Sequence, residues 1–297
     1  MQTILKNHIL EIKINSKGAE LCAINNLKNG KNYLWDANPK YWNRSSPVLF
    51  PFVGAVKNKE YRYDGATYSM NQHGFARDLE FTLISMTENE VWYSLQDNED
   101  TYKIYPFHFW LEIGYRLEEN NIVVMWKVKN TDTKTIYFSI GAHPAFFCPL
   151  NTEETQTDCW LKFERKDKTI LDKLILTDFG SGGCVTTRKS EQKLESNGLL
   201  AVSENRFDND ALVIENNQVQ RISLLDKNKK EYLAVSFDSP LVGVWSPPKK
   251  HAPFVCIEPW YGRCDSEIFD GELKDREWEN QLDIDEKFFA EYKIEIL

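Results

Sequence analysis

Helical periodicity is scarce in this 297-residue chain. Short turns of helix fit near Pro39–Trp42 and Thr101–Tyr105, but no long helix alternates with strands, which argues against a parallel βαβ fold. Basic charge is in deficit, 36 Lys and Arg against 45 Asp and Glu, and there is no basic stripe. That excludes nucleic acid and anionic membrane surfaces as natural partners. No apolar run reaches membrane-spanning length. Met1–Asn15 alternates polar and apolar residues and has no apolar core of signal-peptide length. The six cysteines, at 22, 148, 159, 184, 256 and 264, contain no Cys-x-x-Cys pair. Reduced thiols and a cytoplasmic location are therefore expected. A Gly-x-Ser-x-Gly elbow is missing, and so is a Gly-rich phosphate loop before a helix. None of the five histidines forms a His-x-Asp/Glu or His-x-x-x-His pair, so the spacing disfavours a metal site.

Period-two alternation dominates. Leu10, Ile12 and Ile14 alternate with Glu11 and Lys13, and Leu111, Ile113, Tyr115 and Leu117 with Glu112, Gly114 and Arg116. Ile122–Val128 reads as a returning strand, followed by Thr135–Ile140. Asp64-Gly65, between Tyr61–Tyr63 and Thr67-Tyr68, signals a hairpin. Phe81–Met86 and Val91–Gln96 read as another. Further strands fit Cys159–Phe163, Ile222–Leu225, Tyr232–Phe237, Val242–Trp245 and Phe289–Leu297. Asn151–Asp158 and Thr177–Asn197 are polar and read as long surface loops. Many short strands with polar turns predict an all-β antiparallel sandwich, one domain over residues 1–297, with very few short helices. Aromatics make up 13% of the chain, and most are expected in its core.

Two stretches hold a titratable side chain directly before a proline. Val255–Asp265 opens as a strand-like run that delivers Glu258 and stops at Pro259, which ends regular pairing because it has no N–H and which biases its predecessor toward extended backbone. Gly141–Phe147 delivers His143 before Pro144. Gln72–Asp78 adds His73 at a turn. Taken singly, Glu258 reads better as a surface carboxylate at a strand end, and each histidine at least as well as a structural one. His8 and His251 read as solvated, and His108, among Pro106, Phe107, Phe109 and Trp110, as a buried core residue.

Together these stretches carry a resemblance that spans nearly the whole chain. Arg44–Pro51, Gln72-His73-Gly74-Phe75-Ala76-Arg77-Asp78, Gly141-Ala142-His143-Pro144-Ala145-Phe146, Phe207–Leu212 and Ile257-Glu258-Pro259-Trp260 resemble, in this order, the aldose 1-epimerase (mutarotase) family. The likeness is greatest to the branch associated with lactose operons. The resemblance implies one large antiparallel β-supersandwich, a sugar-binding cleft, and no cofactor or metal. It implies Glu258 as general base, His143 as general acid and His73 as the second active-site histidine. Arg44 matches the substrate-binding arginine, and either Asp208 or Asp210 the sugar-binding aspartate. Trp260 or Phe146 offers an apolar face to the ring.

The activity so implied is interconversion of the α and β anomers of an aldose such as galactose or glucose. A base removes the anomeric hydroxyl proton while an acid protonates the ring oxygen, without covalent or redox steps. The ordinary pKa of a Glu is about 4.3 and that of a His about 6.5, so an ionised Glu and a protonated His coexist between them and predict a bell-shaped rate profile. Two alternatives stay open. A hexose-6-phosphate 1-epimerase would need cationic donors such as Arg77, Lys57, Lys59 or Arg263, and a carbohydrate-binding protein would keep the cleft without the chemistry.

Overall fold

The computed structural model describes all 297 residues and is built almost wholly of strands. A nine-stranded sheet runs in the order Leu199–Ala201, Trp160–Glu164, Arg221–Leu225, Glu231–Phe237, Lys287–Ile296, Asn121–Asn130, Phe109–Glu118, Glu90–Gln96, Thr82–Met86. A second large sheet runs Val185–Lys193, Lys173–Phe179, Leu212–Ile214, Leu241–Trp245, Phe254–Tyr261, Ile140–Ala142, Val48–Leu49, with Ala145–Phe147 also paired to Phe254–Tyr261. Pairing in both sheets is antiparallel. A three-stranded sheet, Gln2–Lys6, Leu10–Asn15 and Glu20–Asn26, completes the N-terminal part. The architecture is the antiparallel β-sandwich expected. No helix is long and apolar enough to cross a membrane.

The core lies between the large sheets. Leu111, Ile113, Val124 and Trp126 from one join Val242, Val244, Val255 and Ile257 from the other in one cluster of 65 buried residues. Nearly half of the aromatic residues, 18 of 39, lie in this cluster: Phe50 alone meets the rings of Phe75, Tyr105, Phe109 and Phe138. The Asp64-Gly65 turn has φ +50° and +73° and closes the Glu60–Tyr63/Ala66–Ser69 hairpin, as a two-residue loop with both φ positive requires.

Several expectations need correction. Pro39–Trp42 is a turn, and the one α-helix, Glu99–Ile104, is capped by Asn98. Thr177–Asn197 is no loop. It supplies the end of Lys173–Phe179 and the edge strand Val185–Lys193, most of whose residues are only partly covered or exposed. Backbone pairing at a sheet edge needs no apolar side chain. Thr135–Ile140 breaks at Ser139, whose N–H turns to Pro51 O (2.8 Å). Its first half pairs with Asn280–Leu282 and its second with Phe254–Tyr261. Pro259 does not end its strand, which continues to Tyr261. His108 is exposed, with Nδ1 2.7 Å from Asp97 Oδ2 and its ring stacked on Tyr102.

The cleft-facing side of the second sheet is shaped by what it omits. Gly141 and Gly243 lie on the strands either side of Phe254–Tyr261. A Cβ at Gly243 would overlap the Trp260 ring, and one at Gly141 would come within 2.7 Å of Trp260 Cδ1. The two glycines thus make the slot that holds this indole. Gly243→Ala should destabilise the fold by about 1–3 kcal/mol, the usual cost of overpacking. An unchanged urea-unfolding midpoint would show that the ring is free to move aside.

Candidate active site

Period two along the strands sets the centre of the site. Gly141 pairs with Trp260, and Ala145 with Cys256. Two residues in from either pair, the register sets His143 opposite Glu258. Side chains two apart on a strand share a face, so Glu258, Trp260 and Cys256 all point to the cleft side while Val255 and Ile257 point to the core. The pair falls where the ladder between residues 140–147 and Phe254–Tyr261 is interrupted, while pairing with Leu241–Trp245 runs on through Pro259. Pro144 and Pro259, one residue beyond each member, both lack the N–H that regular pairing would use. His143 Nε2 lies 3.4 Å from Glu258 Oε2, with Glu258 1% and His143 6% exposed.

His143 is fixed by packing. Trp42 stacks on its ring at 4.7 Å between centroids, and Trp245 and His73 meet it edge-on at 5.3 and 5.5 Å. His73 is held by backbone. It takes φ +68°, its N–H donates to Gly54 O (2.8 Å), and its Nδ1 accepts the Gly54 N–H (3.1 Å). With Nδ1 accepting, the proton of the neutral ring belongs on Nε2. Gly54 is positioned in turn. A Cβ there would come within 2.9 Å of Cys264 Cα. Beyond it, buried Asp265 accepts from Lys57 N–H (2.8 Å) and Arg276 Nε (2.7 Å) and donates its own N–H to Ala55 O (3.0 Å).

Arg44 comes from a further loop, and Arg77 from the short turn Ala76–Asp78 that follows His73. Glu20 Oε1 accepts the Ser45 and Ser46 N–H groups at 2.8 and 2.9 Å, pinning the chain beside Arg44. Arg44 Nη2 bonds Asp78 Oδ1 at 2.8 Å, and Arg77 Nη2 donates to Gln72 O at 2.8 Å.

A cavity of about 360 Å³ gathers most of the sequence-predicted set: Glu258, His143, His73, Arg44, Arg77, Asp210 and Trp260. Two residues are not brought in. Phe146 pairs with Val255, one residue out of phase with Cys256, and so lies fully buried on the core face. Asp208 lines a neighbouring cavity that shares Asp210, Phe179, Ala211 and Pro248 with this one. The chain turns at Asp210 with φ +79°, and Asp210 reaches both cavities. Sequence reasoning missed Trp42, Trp245 and Gln72 as lining residues. For Trp245 the signal was present, two residues after Gly243 on an alternating strand.

Burial governs the electrostatics. It pushes the Glu258 carboxyl well above the usual carboxylate range. Asp210 adds to the rise and the Trp260 indole opposes it. Burial, followed by Arg77, holds the His143 imidazole down at about 3. Burial, His143 and the two arginines hold His73 well below its ordinary value. Both shifts favour the neutral forms, carboxylic acid and imidazole, over the ion pair.

These shifts have opposite signs in stability. A histidine with a lowered folded pKa contributes fully above its unfolded value and loses that contribution as pH falls toward the folded one. A carboxyl with a raised folded pKa contributes fully below its unfolded value and loses it as pH rises. Wild-type stability should therefore fall as pH drops below about 6.5, the ordinary histidine value. His73→Asn should flatten that fall by up to about 1.4 kcal/mol per pH unit, read from urea unfolding at stepped pH. Equal slopes would mean that His73 titrates normally.

Residues 1–269 match the family model described as aldose 1-epimerase. The chain is 33% identical over 270 residues, 87% of each chain, to two curated Lactococcus lactis subsp. lactis proteins, the plasmid and chromosomal forms of Protein LacX. Its fold matches a galactose mutarotase related enzyme from Lactobacillus acidophilus with TM-score 0.93 and 31% identity, covering 100% of this chain and 97% of that one. A galactose mutarotase-like protein from Lactobacillus casei matches with TM-score 0.91 and 25% identity over the full length of both chains. With its order of motifs, its register at Glu258 and these likenesses in agreement, the chain belongs to the aldose 1-epimerase family.

Proposed function

We propose that this protein interconverts the anomers of an aldose, with Glu258 and His143 as the proton-transferring pair. The observation that carries this reading is their placement: opposite each other across two strands, 3.4 Å apart, at the wall of a polar cavity. Mutarotation moves protons at two oxygens borne by one carbon, so its acid and base must stand side by side. Ring opening takes the anomeric hydroxyl proton onto the Glu258 carboxylate while the His143 imidazolium protonates the ring oxygen. The pair is left as carboxylic acid and neutral imidazole, the form that burial favours. After the aldehyde turns, closure runs the same transfers backwards onto its other face. Each cycle moves one proton across and back, and the pair keeps one proton throughout. Arg44, Arg77, Asp210 and the Nε2–H of His73 are the candidate hydrogen-bonding groups for the sugar hydroxyls, with Trp260 against the ring.

The form with one shared proton is bounded by macroscopic values of the pair. Burial moves these bounds apart, so the rate plateau should be broader than the interval of about 4.3 to 6.5 expected of unperturbed groups. Glu258→Gln keeps the shape but cannot take the proton. It should lower anomer exchange by about 10²-fold or more, measured by polarimetry or NMR exchange over a panel of aldoses, with sugar binding largely kept. Near-wild-type exchange in a folded variant would show that Glu258 is not the base, and wild-type binding without exchange would favour the non-catalytic reading.

One observation favours a phosphorylated hexose as the second reading. Arg44 and Arg77 share the cavity, Arg77 Nε is buried without a hydrogen bond and 3.9 Å from Asp78 Oδ2, and burial with Arg44 lowers the Arg77 guanidinium to about 10. A phosphate would relieve both effects. If a hexose 6-phosphate exchanges far faster than the free sugar, and Arg77→Ala removes that preference alone, this reading holds.

A further inference from the structure

The acid–base account leaves one side chain behind the pair unused. Cys256 stands two residues before Glu258 on the same strand face, opposite Ala145. It lies behind the pair in a small cluster with Trp35, Ala145, Ala252 and Phe254. Donor atoms of His143, Cys256 and Glu258 all lie within 4.8 Å of one another, and all three residues are buried. His143 Nδ1 and Glu258 Oε2 have no hydrogen-bond partner. Glu258 Oε2 meets His143 Nε2 only at 3.4 Å, and a buried polar atom without a good hydrogen bond costs about 1–3 kcal/mol.

We propose that His143, Cys256 and Glu258 form a binding site for a borderline-soft divalent cation of the Zn²⁺ or Co²⁺ class, and that the bound ion blocks proton transfer. Imidazole, thiolate and carboxylate are all zinc ligands, and a three-residue set leaves a fourth position open. Mg²⁺ and Ca²⁺, which prefer oxygen ligands, do not suit it. The donors would draw together by small rotamer shifts. The arrangement is legible in the fold because Cys-x-Glu on a strand aims two donors one way, while the cross-strand register supplies the third. The His-x-x-x-His spacing of helical sites plays no part.

Burial and the Glu258 charge keep the Cys256 thiol protonated. The ion must therefore displace two protons, one from the thiol and one shared by the carboxyl and imidazole, and both leave to solvent. Thiolate and carboxylate then neutralise the dication. Asp210 favours it, while Arg44 and Arg77 across the cavity oppose it. The proton pair and the metal compete for the same lone pairs, so the ion acts as an inhibitor and the metal-free protein is the active form.

The test is a cobalt titration of the chelator-treated full-length protein. One equivalent of Co²⁺ should bind with a thiolate-to-metal charge-transfer band in the near ultraviolet, and Zn²⁺ should bleach it. Cys256→Ser should abolish the band and weaken Zn²⁺ binding by at least about 10-fold, the lower end of the loss seen when even an outer partner of a metal ligand is removed. His143→Asn, on a different element, should weaken Zn²⁺ binding likewise and carries the test if Cys256→Ser fails to fold. A wild-type protein that binds no cobalt with such a band overturns the proposal. So does a band that survives both substitutions, which would place it on another thiol. The spectrum reads ligands and not turnover, so the site stands or falls apart from the acid–base reading. Only the inhibition rests on that reading: Zn²⁺ loading should cut anomer exchange at least about 10-fold and chelator should restore it, and full exchange with the band present would overturn the blocking role.

Discussion

A carboxyl and an imidazole held 3.4 Å apart, away from water, are the constraint that the rest of the site serves. Desolvation disfavours the ion pair and favours its neutral tautomer, while the proposed chemistry needs both in turn. The two forms differ only in where one proton sits across 3.4 Å. Such a balance works if neither group is drawn off by a stronger partner. His143 is accordingly held by ring contacts with Trp42, Trp245 and His73, and its Nδ1 is left without a hydrogen bond. The polar anchoring is placed one step away, on His73 and the arginines, where it fixes geometry without competing for the shared proton.

The surrounding sheet explains how the pair is kept there. Glycines at 141 and 243 make room for Trp260, and prolines at 144 and 259 remove ladder donors beside the pair. Behind the cavity, Asp265 and Arg276 hold the segment around Gly54, which grips His73 at both its backbone and its ring. The clamp is ionic and buried, with Arg276 also bonded to Glu279 at 2.6 Å. Removing one partner from such a cluster strands a charge away from water, a loss of about 3–5 kcal/mol.

Much of this was legible in the sequence because period two survives wherever one face of a strand meets the core. The paired strands around 111–128 follow from that rule, as the hairpin at Asp64-Gly65 follows from its turn residues. Glu258 and His143 were each marked singly by the proline that follows, and only the family resemblance made them partners. The rest was hidden for physical reasons. Val185–Lys193 lies at a sheet edge, where pairing uses backbone and leaves no apolar signature. His108 has apolar neighbours along the chain, but its own ring turns outward to Asp97 and Tyr102. Phe146 and Ala145 differ only in parity, which the strand's partner decides. Asp208 and Asp210 share one turn, and a single positive φ determines which of them reaches the cavity beside Glu258.

The way His143 meets Glu258 has a consequence for how the protein matures. The two are 115 positions apart along the chain and are joined by nothing but the alignment of two strands. A slip of one residue in either strand would turn its member of the pair into the core and leave the other on the cleft side without a partner, with no intermediate arrangement that keeps both in reach. Half-assembled molecules would therefore be silent and not merely slow. A population of such chains would change in the number of working copies, while each working copy would run at full rate.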